Sequence, residues 1–322
     1  MQALFSQPLA LMAALLPLAM LVALLLDLAF GEPPTWAHPV VAMGRYLSLW
    51  SAWLLRVAPS LALIGGALAW ALGAVLCVAL AIAVEEGLIT GLKPWQSLPQ
   101  LLCTALLCGL FLKPMFAWRM LRDEAAAVEA ALAESLDAAR FRLSRLVSRD
   151  TSALDASAIR EAAIETLAEN LNDSVVAPLF WFMIAGLPGA ALYRFANTAD
   201  AMWGYRGRWE WAGKVAARAD DLLSWLPARL TGAALLGWQP KQWRQLRQEA
   251  ALTPSPNSGW PMAAVALRLG ARLGKPGVYR LNAEGAAPDA TALIRAQDLA
   301  RQALWRVVPL LMLGAFLLRW HR

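Results

Sequence analysis

Charged residues and histidines are scarce in this chain of 322 residues. Only 16% of the residues are charged and only two are histidines, whereas 59% are hydrophobic. About 25% charged residues is usual for a soluble domain, so the composition excludes an ordinary soluble enzyme. No nucleic-acid partner is expected, although the net charge is +6. Neither a P-loop nor a Gly-x-Gly-x-x-Gly sequence is present, and a nucleotide site would therefore need an unconventional construction.

Cysteine and histidine chemistry is also poorly represented. Cys77, Cys103 and Cys108 all lie within apolar runs, and their spacing fits no zinc motif, so we interpret them as packing residues. His321 lies in the C-terminal tail beside basic and aromatic residues, which is typical of an interfacial anchor. His38 follows a Gly- and Pro-rich turn. Ser-His-Asp and Cys-His catalysis are not supported.

Long apolar runs predict an all-α, polytopic integral membrane protein, with one membrane domain over 1–322. About 20 apolar residues cross a bilayer as a helix. Such runs occupy 9–30, 58–84, 98–112 and 303–320. Two further apolar segments, 175–196 and 222–238, are interrupted by Pro and Gly or contain Arg229. We expect both to be broken or re-entrant intramembrane helices.

The distribution of Lys and Arg predicts the topology. The connection 113–174 is rich in both, whereas Lys93 is the only basic residue between the second and third spans. Basic connections stay on the cytoplasmic side. We therefore expect 113–174 to form a cytoplasmic helical insert of a multi-pass protein of the inner (cytoplasmic) membrane, with its active site facing the cytoplasm.

The most unusual polar feature is a stripe of acids directly before a broken apolar segment. Its members are Glu161, Glu165, Glu169 and Asp173. Residues four apart share one face of a helix, and like charges placed in this way repel each other. The stripe is either a solvated helix face or a cation site at the membrane interface. Oxygen-only ligands favour magnesium.

Two polar constellations follow the broken segment. The polar residues of the first, at 197–206, are Asn197, Asp200 and Arg206; those of the second, at 217–230, are Arg218, Asp220, Asp221 and Arg229. The first is either a turn with a surface salt bridge or part of a site. Arg229 lies inside an apolar run, where an unpaired Arg is costly, so it is either functional or paired with a neighbouring acid.

The last constellation is T-P-S-P-N-S-G-W-P at 253–261, which is too rich in Pro, Gly, Asn and Ser to form a helix. It is either a plain connector or a rigid loop whose backbone N–H groups and Asn257 hold phosphate.

Several long motifs in one order resemble the CobD/CbiB family of cobalamin-biosynthesis membrane proteins, also called adenosylcobinamide-phosphate synthase. They are D-L-A-F-G-E-P-P-T-W-A-H-P-V at 27–40, V-S-R-D at 147–150, E-T-L-A-E-N-L-N-D-S-V-V-A-P-L-F-W at 165–181, Y-R-F-A-N-T-A-D-A-M-W-G-Y-R at 193–206, A-A-R-A-D-D-L-L-S-W-L-P-A-R-L-T at 216–231 and S-P-N-S-G-W-P at 255–261. The resemblance covers nearly the full chain. Two small departures are Ser174, where the family more often has Gly, and Ser258, where it more often has Ala.

The resemblance implies an ATP- and Mg²⁺-dependent ligase. It would join adenosylcobyric acid to (R)-1-amino-2-propanol or its O-phosphate through an amide and give adenosylcobinamide or its phosphate. ATP is then a co-substrate and Mg²⁺ the cofactor, because a carboxylate must be activated and the charge on the transferring phosphoryl group neutralised. The lipid bilayer and other membrane proteins of cobalamin assembly are the expected partners.

The matching motifs also imply roles for individual residues. Magnesium is expected at Glu165, Glu169 and Asp173, whereas Glu161 lies one turn before the motif and is expected to face water. Proton removal from the substrate ammonium is expected of Asp200 with Asp220 or Asp221. Anion contacts are expected of Arg206, Arg218 and Arg229. The remaining nucleotide or substrate contacts are assigned to His38, Arg149, Asn170, Asn197 and Asn257.

Two other classes of function are compatible with parts of this sequence. One is a non-catalytic membrane sensor, of which AmpE-type proteins are distant relatives of the family. The other is a transporter or intramembrane transferase that uses magnesium diphosphate. The full set of acids and arginines argues against a sensor. The absence of an N-D-x-x-D-type motif on two intramembrane helices argues against the transferase.

Overall fold

The computed structural model describes residues 7–237 and 239–320, so Trp238 and His321 lie outside the described residues. Helices dominate this part of the chain, which confirms the all-α class. The helices are α1 (Gln7–Phe30), α2 (Pro39–Leu54), α3 (Pro59–Leu92), α4 (Leu98–Leu112), a 3-10 turn (Lys113–Met115), α5 (Trp118–Glu134), α6 (Leu136–Ser144), α7 (Ala156–Leu171), a π-helical turn (Asn172–Val176), α8 (Ala177–Trp203), α9 (Lys214–Leu223), α10 (Trp225–Leu236), α11 (Pro240–Ala250), α12 (Gly259–Leu269) and α13 (Ala292–Trp320). One antiparallel hairpin, β1 (Leu273–Lys275) and β2 (Tyr279–Leu281), pairs Leu273 with Leu281.

Within the described residues, five helical stretches are long and apolar enough to cross a membrane. They are Leu9–Phe30, Pro59–Leu92, Leu98–Glu134, Ala156–Trp203 and Ala292–Trp320. Four contain the spans expected from the sequence. The fifth, Ala156–Trp203, contains the segment expected to be broken. The protein is a multi-pass membrane protein.

Helix α3 is longer than the apolar run at 58–84 predicts. Its 34 residues correspond to about 51 Å at 1.5 Å per residue, against roughly 30 Å of hydrocarbon in a bilayer. Leu68, Leu72 and Val75 on this helix are exposed by 66%, 47% and 63%. In a membrane protein such apolar exposure indicates contact with lipid.

Helix α8 is interrupted within the predicted broken segment 175–196, but at one place only. Ala185 has φ −134° and ψ 18°, and Gly186 has φ 66° and ψ −151°. The change of direction removes the helical partner of the next amide, and Glu85 Oε2 on α3 accepts a hydrogen bond from Leu187 N at 2.6 Å. A side chain from a neighbouring helix thus satisfies the backbone group that the kink leaves open.

The second predicted broken segment, 222–238, forms the short helix α10, which has 12 residues. At about 18 Å it is too short for a membrane span. The helix ends at Gly237, which has φ 69° and thus a backbone conformation that favours glycine. Helix α10 packs against α12.

The described residues fall into two compact units. The first contains the described residues of Met1–Ala117, Ala177–Leu223 and Val308–Arg322; the second contains Trp118–Val176 and Ser224–Val307. Most of the insert predicted at 113–174 therefore belongs to one unit with the basic segment 239–302 and α10. Sequence reasoning treats these as separate connections.

Aromatic and small residues hold the first unit together. Helices α2, α3, α8 and α9 enclose Leu47, Phe195 and Trp203, which are fully buried. Trp203 stacks on Trp209 with ring centroids 6.0 Å apart, and its Nε1 donates to Ser51 Oγ at 3.0 Å. This core anchors the C-terminal end of α8, which carries the 197–206 constellation.

Candidate active site

In the second unit, Glu165 on α7 forms a buried ion pair with Arg149 from the V-S-R-D motif. Arg149 Nη2 lies 2.6 Å from Glu165 Oε2, and the Glu165 side chain is only 4% exposed. The cap residue Asp155 starts α7 by accepting a hydrogen bond from Ala158 N at 2.8 Å. The structure thus brings together two residues that the sequence analysis assigns to different roles.

The expectation that Glu161 faces water is wrong. Its side chain is 17% exposed, and its Oε1 lies 3.6 Å from Arg272 Nε. Arg272 directly precedes β1, so the segment before the hairpin supplies a cation to this end of the stripe. The stripe is therefore a partly buried and partly neutralised face of α7, because Arg149 and Arg272 offset the repulsion between its carboxylates.

Tyr279 on β2 is a member of this site that sequence reasoning missed. Burial, together with the negative charge of Glu165, raises the pKa of the Tyr279 phenol, so the phenol stays protonated. Its hydroxyl is 3.8 Å from Met262 Sδ. A lone Tyr in a short hairpin more than 100 positions from the stripe carries no local sequence signal.

Asn172 and Asp173, from the E-T-L-A-E-N-L-N-D-S-V-V motif, begin the π-helical turn Asn172–Val176. Asn172 is buried, and its Nδ2 donates to Asp173 Oδ1 at 2.7 Å. Thr231 Oγ1 on α10 lies 3.1 Å from Asn172 Oδ1. Such π-turns widen a helix locally and are frequent at functional sites. Here the turn fixes the direction of the Asp173 carboxylate.

Glu169 and Asn170 are adjacent residues in the last turn of α7. Asn170 Nδ2 donates to Thr166 O at 3.0 Å, and Asn170 Oδ1 accepts from Ser174 Oγ at 3.2 Å. The hydroxyl of Ser174, a departure from the family pattern, thus serves to orient Asn170. Glu169 and Asp173 are half-buried.

The predicted magnesium ligands offer oxygen donors, although no preformed cluster. Over residues 7–237 and 239–320, no group of three or more His, Cys, Asp or Glu side chains converges on one point. Mg²⁺ is commonly held by one or two carboxylates together with water and substrate phosphates. The buried Glu165 carboxylate interacts with Arg149 and with the Tyr279 hydroxyl. The donor set therefore fits an ion that arrives with a phosphate ligand.

Arg229 fastens α10 to the 253–258 loop and to Trp260 in the first turn of α12. The expectation that 253–261 is non-helical is therefore wrong for residues 259–261, which begin α12. The Arg229 guanidinium lies between the rings of Trp225 and Trp260, at 4.3 Å and 4.9 Å from their centroids. Arg229 Nη1 donates to Asn257 Oδ1 at 2.8 Å, and Nη2 donates to Pro256 O at 3.1 Å. The sequence suggests that Arg229 either is functional or pairs with a neighbouring acid. In the structure its guanidinium instead contacts carbonyl groups and aromatic rings.

In the first unit, α8 and α9 bring the 197–206 and 217–230 constellations together. Asn197 Nδ2 donates to Asp220 Oδ1 at 3.3 Å. Arg218 Nη1 lies 3.4 Å from Asp221 Oδ2, although the Arg218 side chain is 77% exposed. Burial raises the pKa of Asp221, and the nearby Arg218 partly counteracts that rise.

Asp200 lies in the last turn of α8, and Arg206 lies three residues beyond the end of this helix. The Asp200 carboxylate is close enough to Asp221 for the two charges to repel each other. The Asp200 carbonyl accepts from Gly204 N at 2.6 Å as the helix ends. Arg206 and Arg208 line a cavity of about 330 Å³.

His38 caps helix α2 and belongs to a buried polar network. Its Nδ1 accepts from Val40 N at 3.2 Å, and its Nε2 lies 3.0 Å from Glu32 Oε2. Lys113 Nζ lies 2.7 Å from Glu32 Oε1 and 3.0 Å from Asp27 Oδ1. Sequence reasoning singled out His38 only. Asp27, near the end of an apolar span, was the sequence feature that could have pointed to the other residues of this network.

These features define a multi-pass helical membrane protein. The model of the CobD/CbiB protein family matches residues 20–305, and the chain belongs to this family. No solved structure matches the chain.

The chain is similar to curated proteins from bacteria and archaea. It is 42% identical over 306 residues, 91% of the chain, to the "Cobalamin biosynthesis protein CobD" of Stutzerimonas stutzeri, of which 96% is covered. It is 40% identical over 310 residues to the protein of the same name from Chromobacterium violaceum, with 92% of the chain and 96% of that protein covered. The "Probable cobalamin biosynthesis protein CobD" of Methanothermobacter thermautotrophicus is 41% identical over 271 residues, with 81% of the chain and 85% of that protein covered.

Proposed function

We propose that this protein is an enzyme of cobalamin biosynthesis that joins adenosylcobyric acid to aminopropanol or aminopropanol phosphate through an amide, at the cost of ATP. The family match over residues 20–305 supports the biosynthetic role, as do relatives named as cobalamin biosynthesis proteins. The product is adenosylcobinamide or its phosphate. The protein acts at the inner (cytoplasmic) membrane with its active site on the cytoplasmic side, together with other membrane proteins of cobalamin assembly.

The first chemical step activates the carboxylate of the corrinoid. That carboxylate attacks the γ-phosphorus of ATP, ADP leaves, and an acyl phosphate results. Mg²⁺ supplies charge neutralisation for the triphosphate when it is bound. Glu165, Glu169 and Asp173 would hold it, with Asn170 and the Asn172 contact fixing the geometry of the π-turn. Arg149 limits the mutual repulsion of these carboxylates before a cation arrives.

The second step forms the amide. The amino alcohol enters as an ammonium, and Asp200, Asp220 or Asp221 accepts a proton from it, so that the free amine attacks the acyl phosphate and inorganic phosphate leaves. Burial suits Asp221 to this role, because a carboxyl whose pKa is raised is the stronger base. Arg206 and Arg218 bind anionic oxygens near the attacking amine.

Arg229 and Asn257 act differently from the other candidate phosphate ligands. Since the Arg229 guanidinium is engaged by Asn257, Pro256 and two tryptophans, we assign it to positioning the 253–258 loop at the start of α12. The loop itself, through its backbone N–H groups, remains the candidate for a phosphate contact.

The carboxylates of Glu165 and Glu169 lie one helical turn apart on the same face of α7, with Glu165 buried against Arg149, and this is the observation that carries the proposal. The test is an assay of purified protein with adenosylcobyric acid, ATP, Mg²⁺ and each amine in turn, with the cobinamide product measured by mass spectrometry. Glu169→Gln should abolish product while the protein remains folded in the membrane. Normal turnover in that variant would remove the metal site from the proposal.

A cellular test separates this enzyme from a sensor or a transporter. A strain that lacks the protein should require a corrinoid for growth, and cobinamide should restore growth where cobyric acid does not. Restoration by cobyric acid would place the protein outside this reaction.

A further inference from the structure

Helix α11 exposes a basic surface that the proposed reaction does not use. Lys241, Arg244 and Arg247 follow one another at intervals of three residues and are all exposed. Trp243, one turn before Arg247, is 39% exposed. Leu246 is fully buried, on the side where α11 packs against α12. Residues three or four apart are neighbours on a helix, so the three cations and Trp243 form one continuous surface, which we call the basic face of α11.

The basic face carries no negative charge of its own. The helix contains one acid, Glu249, and its Oε2 accepts a hydrogen bond from Asn282 N at 2.7 Å. This half-buried carboxylate is therefore directed towards the segment that follows β2 and away from the exposed side. In the part of the chain that the structure describes, the three cations form no ion pair with an acid. Their charge is thus available to an external anion.

The start of α11 lies at the level where α13 enters the bilayer. Arg306 on α13 donates from Nη1 to Ala234 O at 2.7 Å, and its guanidinium lies beside Gly237, where α10 ends. Helix α11 begins three residues further on. After Arg306, α13 has no charged residue until its last turn, and the preceding Trp305 is 59% exposed. Trp, Lys and Arg flank apolar spans at the depth of the lipid head groups, which places the junction of α10 and α11 at that depth.

Position and charge together select the occupant of the basic face. A basic amphipathic helix with an aromatic residue at its edge lies in the plane of the membrane surface, where the phosphates of anionic lipids attract it. A soluble anion such as a nucleotide is usually held in a concave site, whereas these cations are spread over about two turns of an exposed helix. The basic connections of the chain are expected on the cytoplasmic side, where the leaflet carries anionic lipid.

We propose that the basic face of α11 binds the phosphate groups of anionic membrane lipids, such as phosphatidylglycerol, with Trp243 among the head groups. The helix then acts as a surface anchor next to the span formed by α13. At this site the protein prefers anionic to zwitterionic lipid, since a zwitterionic head group brings its own ammonium close to the three cations.

The test measures lipid binding by purified, delipidated full-length protein in detergent. Palmitoyl-oleoyl phosphatidylglycerol and phosphatidylcholine are titrated separately, and bound lipid is counted by native mass spectrometry. Phosphatidylglycerol should bind at least about tenfold more tightly, since hydrogen bonds to charged groups commonly supply that difference. Equal binding of the two lipids overturns the proposal. Displacement of phosphatidylglycerol by inorganic phosphate at the same concentration also overturns it, because the face would then be a site for a soluble anion.

Matched variants locate the binding on α11. The triple variant Lys241→Gln, Arg244→Gln, Arg247→Gln should lower the affinity for phosphatidylglycerol at least about tenfold and leave the affinity for phosphatidylcholine unchanged. The control removes the same number of charges at exposed arginines that each pair with an acid, and it should keep the preference; its substitutions are Arg122→Gln, Arg295→Gln and Arg301→Gln. A preference that survives in the α11 variant, or disappears equally in the control, overturns the proposal.

The fold of the variants is measured separately. The three cations of the basic face are exposed, so the thermal unfolding midpoint of the triple variant in detergent should match that of the control. Arg244→Gln alone, at the middle of the three cations, should lower the affinity for phosphatidylglycerol about fivefold, and this measurement does not depend on the triple variant. Unchanged affinity in folded Arg244→Gln protein contradicts the proposal.

Discussion

Arg149 Nη2 lies 2.6 Å from Glu165 Oε2, with the two side chains 17% and 4% exposed. This ion pair joins the V-S-R-D motif to the acid stripe. A buried carboxylate left without its partner is strongly unfavourable, so the pair decides whether the stripe stays charged in the absence of substrate. The two motifs therefore act as one structural element.

Loss of Arg149 should destabilise the protein more than loss of Glu165. Arg149→Met removes the cation that compensates the buried Glu165 carboxylate, and breaking a buried pair in this way commonly costs about 3–5 kcal/mol of unfolding free energy. Glu165→Gln should cost less, because no buried carboxylate remains, but it should lose ligase activity. Thermal unfolding in detergent and the amide-formation assay distinguish these effects. If both variants unfold at the same midpoint, Arg149 does not neutralise Glu165.

The pair of Arg160 and Glu129 provides the matched control. Its N–O distance is also 2.6 Å and its side chains are 15% and 19% exposed, but neither residue belongs to the acid motif that continues into the π-turn. Glu129→Gln should therefore lower stability modestly and keep full turnover.

Arg229→Lys should behave as a severe change in spite of the retained charge. Lysine cannot lie flat between Trp225 and Trp260 or donate two hydrogen bonds in a fixed fork. We expect a loss of about 1–3 kcal/mol of stability and a higher KM for ATP, because the 253–258 loop is no longer held. Arg218→Lys, at a 77% exposed side chain, should leave stability unchanged. If both substitutions change stability equally little, Arg229 does not hold the 253–258 loop in place.

The activity of the protein should depend on pH through Asp221. A base must be deprotonated to act, so turnover falls as the pH drops through its pKa. Burial raises the pKa of Asp221 and Arg218 lowers it; Arg218→Ala should therefore raise the pKa and move the acid limb of the kcat/KM profile to higher pH. The displacement should be a fraction of a pH unit, because an exposed ion pair is weak. Arg244→Ala, another exposed arginine, should not move the limb.

The sequence predicts the features that depend on local pattern. Apolar run length predicts the membrane class, and four-residue spacing places Glu165 and Glu169 on one helical face. Both are properties of a single segment. The Arg149–Glu165 and Asn197–Asp220 contacts join residues 16 and 23 positions apart, and the motifs that contain them can be recognised although the contacts cannot be derived.

The contacts that the sequence does not predict join residues that are far apart in the chain. Thr231 reaches Asn172 across 59 positions, and Lys113 reaches Glu32 across 81. Each contact depends on how two helices pack, which propensity and periodicity leave open. The same reason accounts for the error at Glu161, since its partner Arg272 comes from the segment before the hairpin.

Gly186 should be difficult to replace, because its backbone conformation favours glycine. Its φ of 66° and ψ of −151° are rarely adopted by other residues, and a Cβ at this position would overlap the Glu85 carboxylate. Gly186→Ala should lower stability by about 1–3 kcal/mol from the backbone alone, and it should also break the hydrogen bond from Leu187 N to Glu85. Gly87→Ala, in the interior of α3 where a Cβ meets no atom within 4 Å, should instead be neutral or stabilising by up to about 1 kcal/mol. Thermal unfolding of both variants in the same detergent provides the comparison. Equal midpoints would mean that α8 does not require its break at this residue.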